Sequence, residues 1–116
     1  MSKSTMGKIN QKAGVIGEYE VKDLLECKGY NVTMAKNRNQ RGYDLFTEKG
    51  SKRWLVQVKT DANGDGKYKN LTKRQEFDLI EMAEDKNRTP ILIQYDLWNE
   101  IIHACLYVKS NKPCQI

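Results

Sequence analysis

The chain has 116 residues, 39% hydrophobic and 30% charged, and its 20 Lys plus Arg against 15 Asp plus Glu give a formal net charge of +5. That balance fits one domain of an ordinary soluble protein, and no apolar run approaches the roughly 20 residues a helix needs to cross a bilayer. A pI near 9.1 favours a polyanionic partner. Cys27, Cys105 and Cys114 are odd in number and lack any CxxC spacing, so neither a disulfide framework nor a zinc cluster is indicated. Reduced thiols in a cytoplasmic protein are expected.

Residues 1 to 12, "MSKSTMGKINQK", carry Lys3, Lys8 and Lys12, lack a signal-peptide core and are expected as a basic flexible arm before a single domain over 13 to 116. From 13 to 28, Val21, Leu24 and Leu25 recur at helical spacing, and Gly29 supplies the stop before a strand over "YNVTMA". "YDLFTEK" and "KRWLVQVKT" form a hairpin about a turn at Lys49, Gly50 and Ser51. Thr72 with Gln75 makes a capping box for a second helix, whose expected inward stripe is Phe77, Ile80 and Ala83, with Asn87 and Pro90 ending it. Two strands follow in "PILIQYDLWNEIIHACLYV". The order α-β-β-β-α-β-β predicts an α/β domain with one mixed sheet flanked by helices.

Four residues break the pattern a plain core would have. On a helical wheel Glu18 lies roughly 20° from Leu25 and about 60° from Val21, at the border of the buried stripe. On the third strand the period of two puts Trp54, Val56 and Val58 on one face and Leu55, Gln57 and Lys59 on the other. Gln57 and Lys59 are then about 7 Å apart on a face that a central strand normally buries. Burying such groups costs roughly 1 to 3 kcal/mol or more without partners, so they call for a nearby carboxylate or metal. Asp44, on the neighbouring strand, is the natural candidate.

Taken in order, "GVIGEYEVKDLLECKGY" with Glu18, "GYDL" with Asp44, and "LVQVKT" with Gln57 and Lys59 resemble the PD-(D/E)xK nucleases, and within them the archaeal-type Holliday-junction resolvases. The resemblance runs from about residue 13 to residue 108. It implies a restriction-endonuclease-like fold, a Mg²⁺ cofactor with Mn²⁺ as a substitute, hydrolysis of DNA phosphodiesters at branched junctions, and a homodimer matching the two-fold junction. It also implies roles: Asp44, Gln57, the Val58 carbonyl and Glu18 hold the metal, and Lys59 orients or helps deprotonate the attacking water. The departure is Gln57, where the family pattern has an acid. A Gln carbonyl oxygen still ligates a hard cation but brings no charge, and some homing and transposon-end nucleases resembling this superfamily also use Gln-x-Lys.

Two basic segments flank these residues: Lys36, Arg38 and Arg41 before Asp44, and Lys67, Lys69, Lys73 and Arg74 after Lys59. Both are placed to grip DNA phosphates, although a charge run is also an ordinary solvated loop. Asp61, Asn63 and Asp65 mimic the start of a calcium loop but lack its closing Glu and flanking helices, while Gly64 and Gly66 suggest a mobile loop. His103 is expected as a partly exposed sheet residue, and Trp54 and Trp98 as core or rim. The alternatives to a junction endonuclease are a nuclease-fold DNA-binding module without activity, after losing the acid at position 57, and a homing or restriction-type endonuclease.

Overall fold

In a computed structural model of the chain, residues 3–35 and 43–116 are described, with side chains from residue 13 onward. Helix α1 (Lys3–Cys27) ends where Gly29 takes φ 92. There the Gly29 N–H reaches Glu26 O at 3.0 Å and the Tyr30 N–H reaches Leu25 O at 3.1 Å, the paired bonds of a Schellman stop. The helical backbone takes in residues 3–12, which were expected as an arm; the segment has no proline, and its Lys, Gln and Met residues are good helix formers.

Strands β1 (Asn31–Met34), β2 (Leu45–Lys49) and β3 (Lys52–Asp61) follow, then helix α2 (Lys73–Asp85) and strands β4 (Thr89–Asp96) and β5 (Ile101–Tyr107). Lys49 pairs with Lys52, so the β2–β3 hairpin closes through Gly50 and Ser51, with Gly50 at the positive φ of 60 that tight hairpin turns demand. Both halves of the capping box at Thr72 and Gln75 form. At the other end of α2, Asn87 takes φ 55 and repeats the Schellman bonds, Asn87 N–H to Glu84 O and Arg88 N–H to Ala83 O.

The sheet order is β1-β2-β3-β4-β5, antiparallel throughout except for the parallel pair β3–β4, which α2 connects. Helix α1 covers one face, packing Val21 and Leu25 on Trp54, Val56, Ile91, Ile93 and Tyr95. Helix α2 covers the other through Leu79 and Ala83 on Leu55, with Met82 and Phe46 against them. The inward stripe is therefore Leu79, Met82 and Ala83, not Phe77, Ile80 and Ala83. Phe77 is 59% exposed, because the i, i+3, i+4 set that meets Leu55 lies on another side of the helix.

The smaller expectations resolve locally. Trp54 is core, whereas Trp98 is exposed and donates its Nε1–H to Ala62 O at 2.8 Å. His103 is exposed and stacks on Tyr68 with centroids 3.6 Å apart. Asp61 accepts the N–H groups of Asn63 and Gly66, so its carboxylate organises the loop after β3 as an Asx-type turn. All three cysteines are free thiols.

Candidate active site

Strand β3 outruns its neighbour. Its pairing with β2 stops at Val56, while β3 continues to Asp61, so beyond that point no described strand flanks β3 on the β2 side. Asp44 occupies the vacated edge. Its Oδ2 accepts the Val58 N–H at 2.8 Å, its N–H donates to Val56 O at 2.8 Å, and its carbonyl accepts the Ala35 N–H at 2.9 Å. Leu45 is already Val56's partner in the register, so Asp44 and Leu45 both oppose Val56, a bulge-type offset that re-aims a side chain out of strict alternation. An N–H bond to a carboxylate is charge-assisted, and this one fixes the Asp44 head against the β3 backbone.

Glu18 comes to the same place from α1. The helix presses on β3 at Gly17, where any Cβ would overlap the Thr60 hydroxyl and sit 3.0 Å from Thr60 Cγ2, so only glycine permits the approach. One residue later, Glu18 joins Asp44 in lining a cleft of about 300 Å³, whose other walls are Val15, Tyr19, Met34, Ala35 and Tyr43. The cleft brings together both sequence-predicted carboxylates.

Lys59 follows on β3, part-buried. Burial pulls its pKa below the ordinary lysine value, the Asp44 carboxylate raises it less, and nearby Lys69 lowers it further. Asp44, Lys59 and Lys69 thus share one electrostatic neighbourhood. Gln57 is part-buried, one residue from Val58, but it does not line the Glu18–Asp44 cleft. Alternation sets Gln57 and Lys59 on the side of Leu55, toward α2, whereas Val58 packs in the α1-side core. A strand residue points its N–H and C=O to the same side, so the Val58 carbonyl faces the open edge where Asp44 sits.

The donors that meet at the open edge are all oxygen, the carboxylates of Glu18 and Asp44 and the Val58 carbonyl, while the Gln57 amide is set toward α2. Among the described residues no group of three His, Cys, Asp or Glu side chains is placed to hold an ion. Two acids with neutral oxygens suit a hard cation that keeps part of its water shell, as Mg²⁺ does, and do not suit zinc.

The basic segments divide. Lys36, Arg38 and Arg41 lie outside the described residues. Lys67, Lys69 and Lys73 are exposed, and Lys69 reaches the field of Lys59. Arg74 spends its guanidinium on Asp78 at 3.3 Å, an exposed pair one helical turn away. Sequence reasoning missed Gly17 as the point of closest approach and Tyr19 and Tyr43 as cleft walls. Gly17 directly before the border residue Glu18 was the available signal. It also missed Glu20, which accepts the Tyr95 hydroxyl; burial and this carboxylate push the Tyr95 pKa well above the usual tyrosine range.

A scan against protein-family models and a search of curated proteins give no match. Among solved structures the chain is similar to Hjc, a Holliday junction resolvase from the archaeal hyperthermophile Archaeoglobus fulgidus, with a TM-score of 0.67 at 12% identity over 82% of this chain and 77% of that one. Likeness at that identity is a likeness of fold: the five-stranded mixed sheet between two helices is the restriction-endonuclease-like α/β arrangement expected from the sequence.

Proposed function

We propose that the protein is a metal-dependent DNA endonuclease that hydrolyses phosphodiester bonds at branched, Holliday-junction-like DNA. The observation that carries the reading is the meeting of Glu18 and Asp44 in one cleft where β3 leaves β2, with Lys59 part-buried in the field of Asp44. The shared fold with a protein described as a Holliday junction resolvase supports the choice of substrate.

Bound Mg²⁺, or Mn²⁺ in its place, would polarise a phosphoryl oxygen and acidify a water. Asp44, Glu18, the Val58 carbonyl and the Gln57 amide oxygen would hold it. The Val58 N–H fixes Asp44 in advance, so little ordering of that carboxylate is left for the metal to impose. Lys59 has two uses that its lowered pKa makes compatible. As an ammonium it donates to the phosphate and offsets developing charge, and the larger neutral fraction conferred by burial lets it accept the water's proton. Lys67, Lys69 and Lys73, together with Lys36, Arg38 and Arg41, would hold the DNA backbone. A two-fold junction needs two cuts, hence a homodimer. Free cysteines suit a reducing, cytoplasmic setting, and no described helix is long and apolar enough to cross a membrane.

One observation favours a second reading, a DNA-binding module without catalysis. Gln57 is neutral where the resembled nucleases carry an acid. Incubation with Mg²⁺ or Mn²⁺ separates the two: an endonuclease cuts a four-way junction, whereas a module binds it and leaves it whole with every divalent ion.

A further inference from the structure

We infer that Cys105 and Cys114 are a redox-controlled modification site, a dithiol that closes to a disulfide and fastens the segment after β5 to the sheet. The backbone sets the pair. β5 ends at Tyr107, and the chain reverses through Asn111, which takes φ 60 and donates its N–H to Tyr107 O at 2.7 Å. It returns antiparallel: the Tyr107 N–H bonds Lys112 O at 2.9 Å, Leu106 bridges Pro113, and the Cys114 N–H bonds Cys105 O at 2.8 Å. That register makes Cys105 and Cys114 direct cross-strand partners at a hydrogen-bonded position. Cα atoms there lie about 5.5 Å apart, inside the roughly 4.4–6.8 Å that a disulfide spans.

The side chains agree with the backbone. Both cysteines are buried, at 7% and 8% exposure, in the same core cluster, so they point to one face of the two segments. Both are free thiols. They also line a shallow hollow of about 420 Å³ with Leu24, Ile102 and Ile116, which admits a small oxidant. Burial, with Cys114 beside it, raises the Cys105 pKa far above the ordinary thiol value, which holds Cys105 as a protonated, slowly reacting thiol until an oxidant is added.

The oxidant class is a hydroperoxide. One Sγ attacks a peroxide oxygen, the O–O bond breaks, and a sulfenic acid and one water form. The second Sγ then displaces the sulfenic oxygen, which leaves as water, and the S–S bond forms. Two thiols and one hydrogen peroxide give one disulfide and two waters.

The test uses the full chain carrying Cys27→Ser, which removes the exposed third thiol. After hydrogen peroxide treatment and quenching, thiol titration under denaturing conditions should find both remaining thiols lost. Intact mass should fall by about 2 Da, the two hydrogens of disulfide formation. Nonreducing electrophoresis should show a monomer, digestion should yield a peptide pair linked through 105 and 114, and the melting temperature should rise by several degrees and return with dithiothreitol. Added single variants Cys105→Ser and Cys114→Ser should lose this signature and accumulate oxygen adducts on the remaining thiol. The inference is overturned if the native dithiol survives peroxide that cross-links the urea-unfolded chain. It is equally overturned if oxygen adducts collect on separate cysteines, or if only intermolecular disulfides form.

Discussion

Replacing Lys59 by Met should make the protein more stable and its chemistry worse. The side chain is part-buried on β3, and burial outweighs the Asp44 carboxylate, so folding disfavours the ammonium. The sign follows. A group whose folded pKa is depressed leaves the fold unpenalised above its unfolded value, here 10.5, and destabilises it increasingly as the pH falls through the folded value. Because Lys59 is only part-buried, solvent screening limits the penalty to about 0.5–1 kcal/mol, and Met retains most of the aliphatic packing. For a domain of this size that is a rise in melting temperature of about 2–4 °C at pH 7. The assay is a set of thermal melts of parent and Lys59→Met from pH 6 to pH 10, beside junction cleavage at pH 7. The gain should shrink as the pH approaches 10.5. Cleavage should fall by about 10²-fold or more, the usual worth of a positioned proton-transfer group. A variant less stable than the parent would mark Lys59 as the net-stabilising partner of an ion pair, and a gain that does not change with pH would trace the effect to packing and not to the buried charge.

Three further perturbations probe the frame around the site. Gly17→Ala forces a methyl into the Thr60 hydroxyl and should cost about 1–3 kcal/mol, read as a lower urea midpoint at unchanged slope; a neutral result would mean α1 does not approach β3 so closely. Gln57→Glu adds a charge one residue from Val58 on β3 and, if Gln57 reaches the metal, should shift the Mg²⁺ dependence of cleavage to lower concentration, whereas superimposable titrations in an active enzyme would remove Gln57 from the metal's ligands. Lys69→Ala should weaken junction binding with the slope of log K against log salt reduced by about 1, and an unchanged slope would place Lys69 off the DNA.

Most of the fold was legible because its boundaries are punctuated by residues with one structural use. Gly29, Gly50, the Thr72–Gln75 box and Asn87 each demand a local geometry, and each adopts it. Periodicity was a weaker guide where it was degenerate. In α2 both Phe77–Ile80–Ala83 and Leu79–Met82–Ala83 have helical spacing, and only the position of Leu55 across the interface chooses between them. The start of α1 was illegible for a related reason, since a polar, lysine-rich stretch reads equally as a solvated arm or a helical turn. At the site, Glu18 and Asp44 stood out because acids at the edge of apolar patterns need a reason. The bulge-type offset that turns Asp44 into the cleft did not, because it depends on where β2 stops pairing with β3. The pairing of Cys105 with Cys114 was equally hidden, being set by a turn at Asn111 that carries no glycine.

On the proposed function, Asp44 anchors a metal-dependent cut in branched DNA. That role is tested most directly by measuring cleavage of a labelled four-way junction beside a linear duplex of the same sequence, with Mg²⁺, Ca²⁺ or a chelator, for the parent and Asp44→Asn. Asn can still accept the Val58 N–H, so the variant should fold and bind the junction nearly as the parent does while losing the charge that holds the metal. The parent should cut the junction over the duplex with Mg²⁺ and bind it without efficient turnover in Ca²⁺, and Asp44→Asn should cut under no condition. Equal cleavage by parent and variant, or cleavage that survives the chelator, would contradict that role.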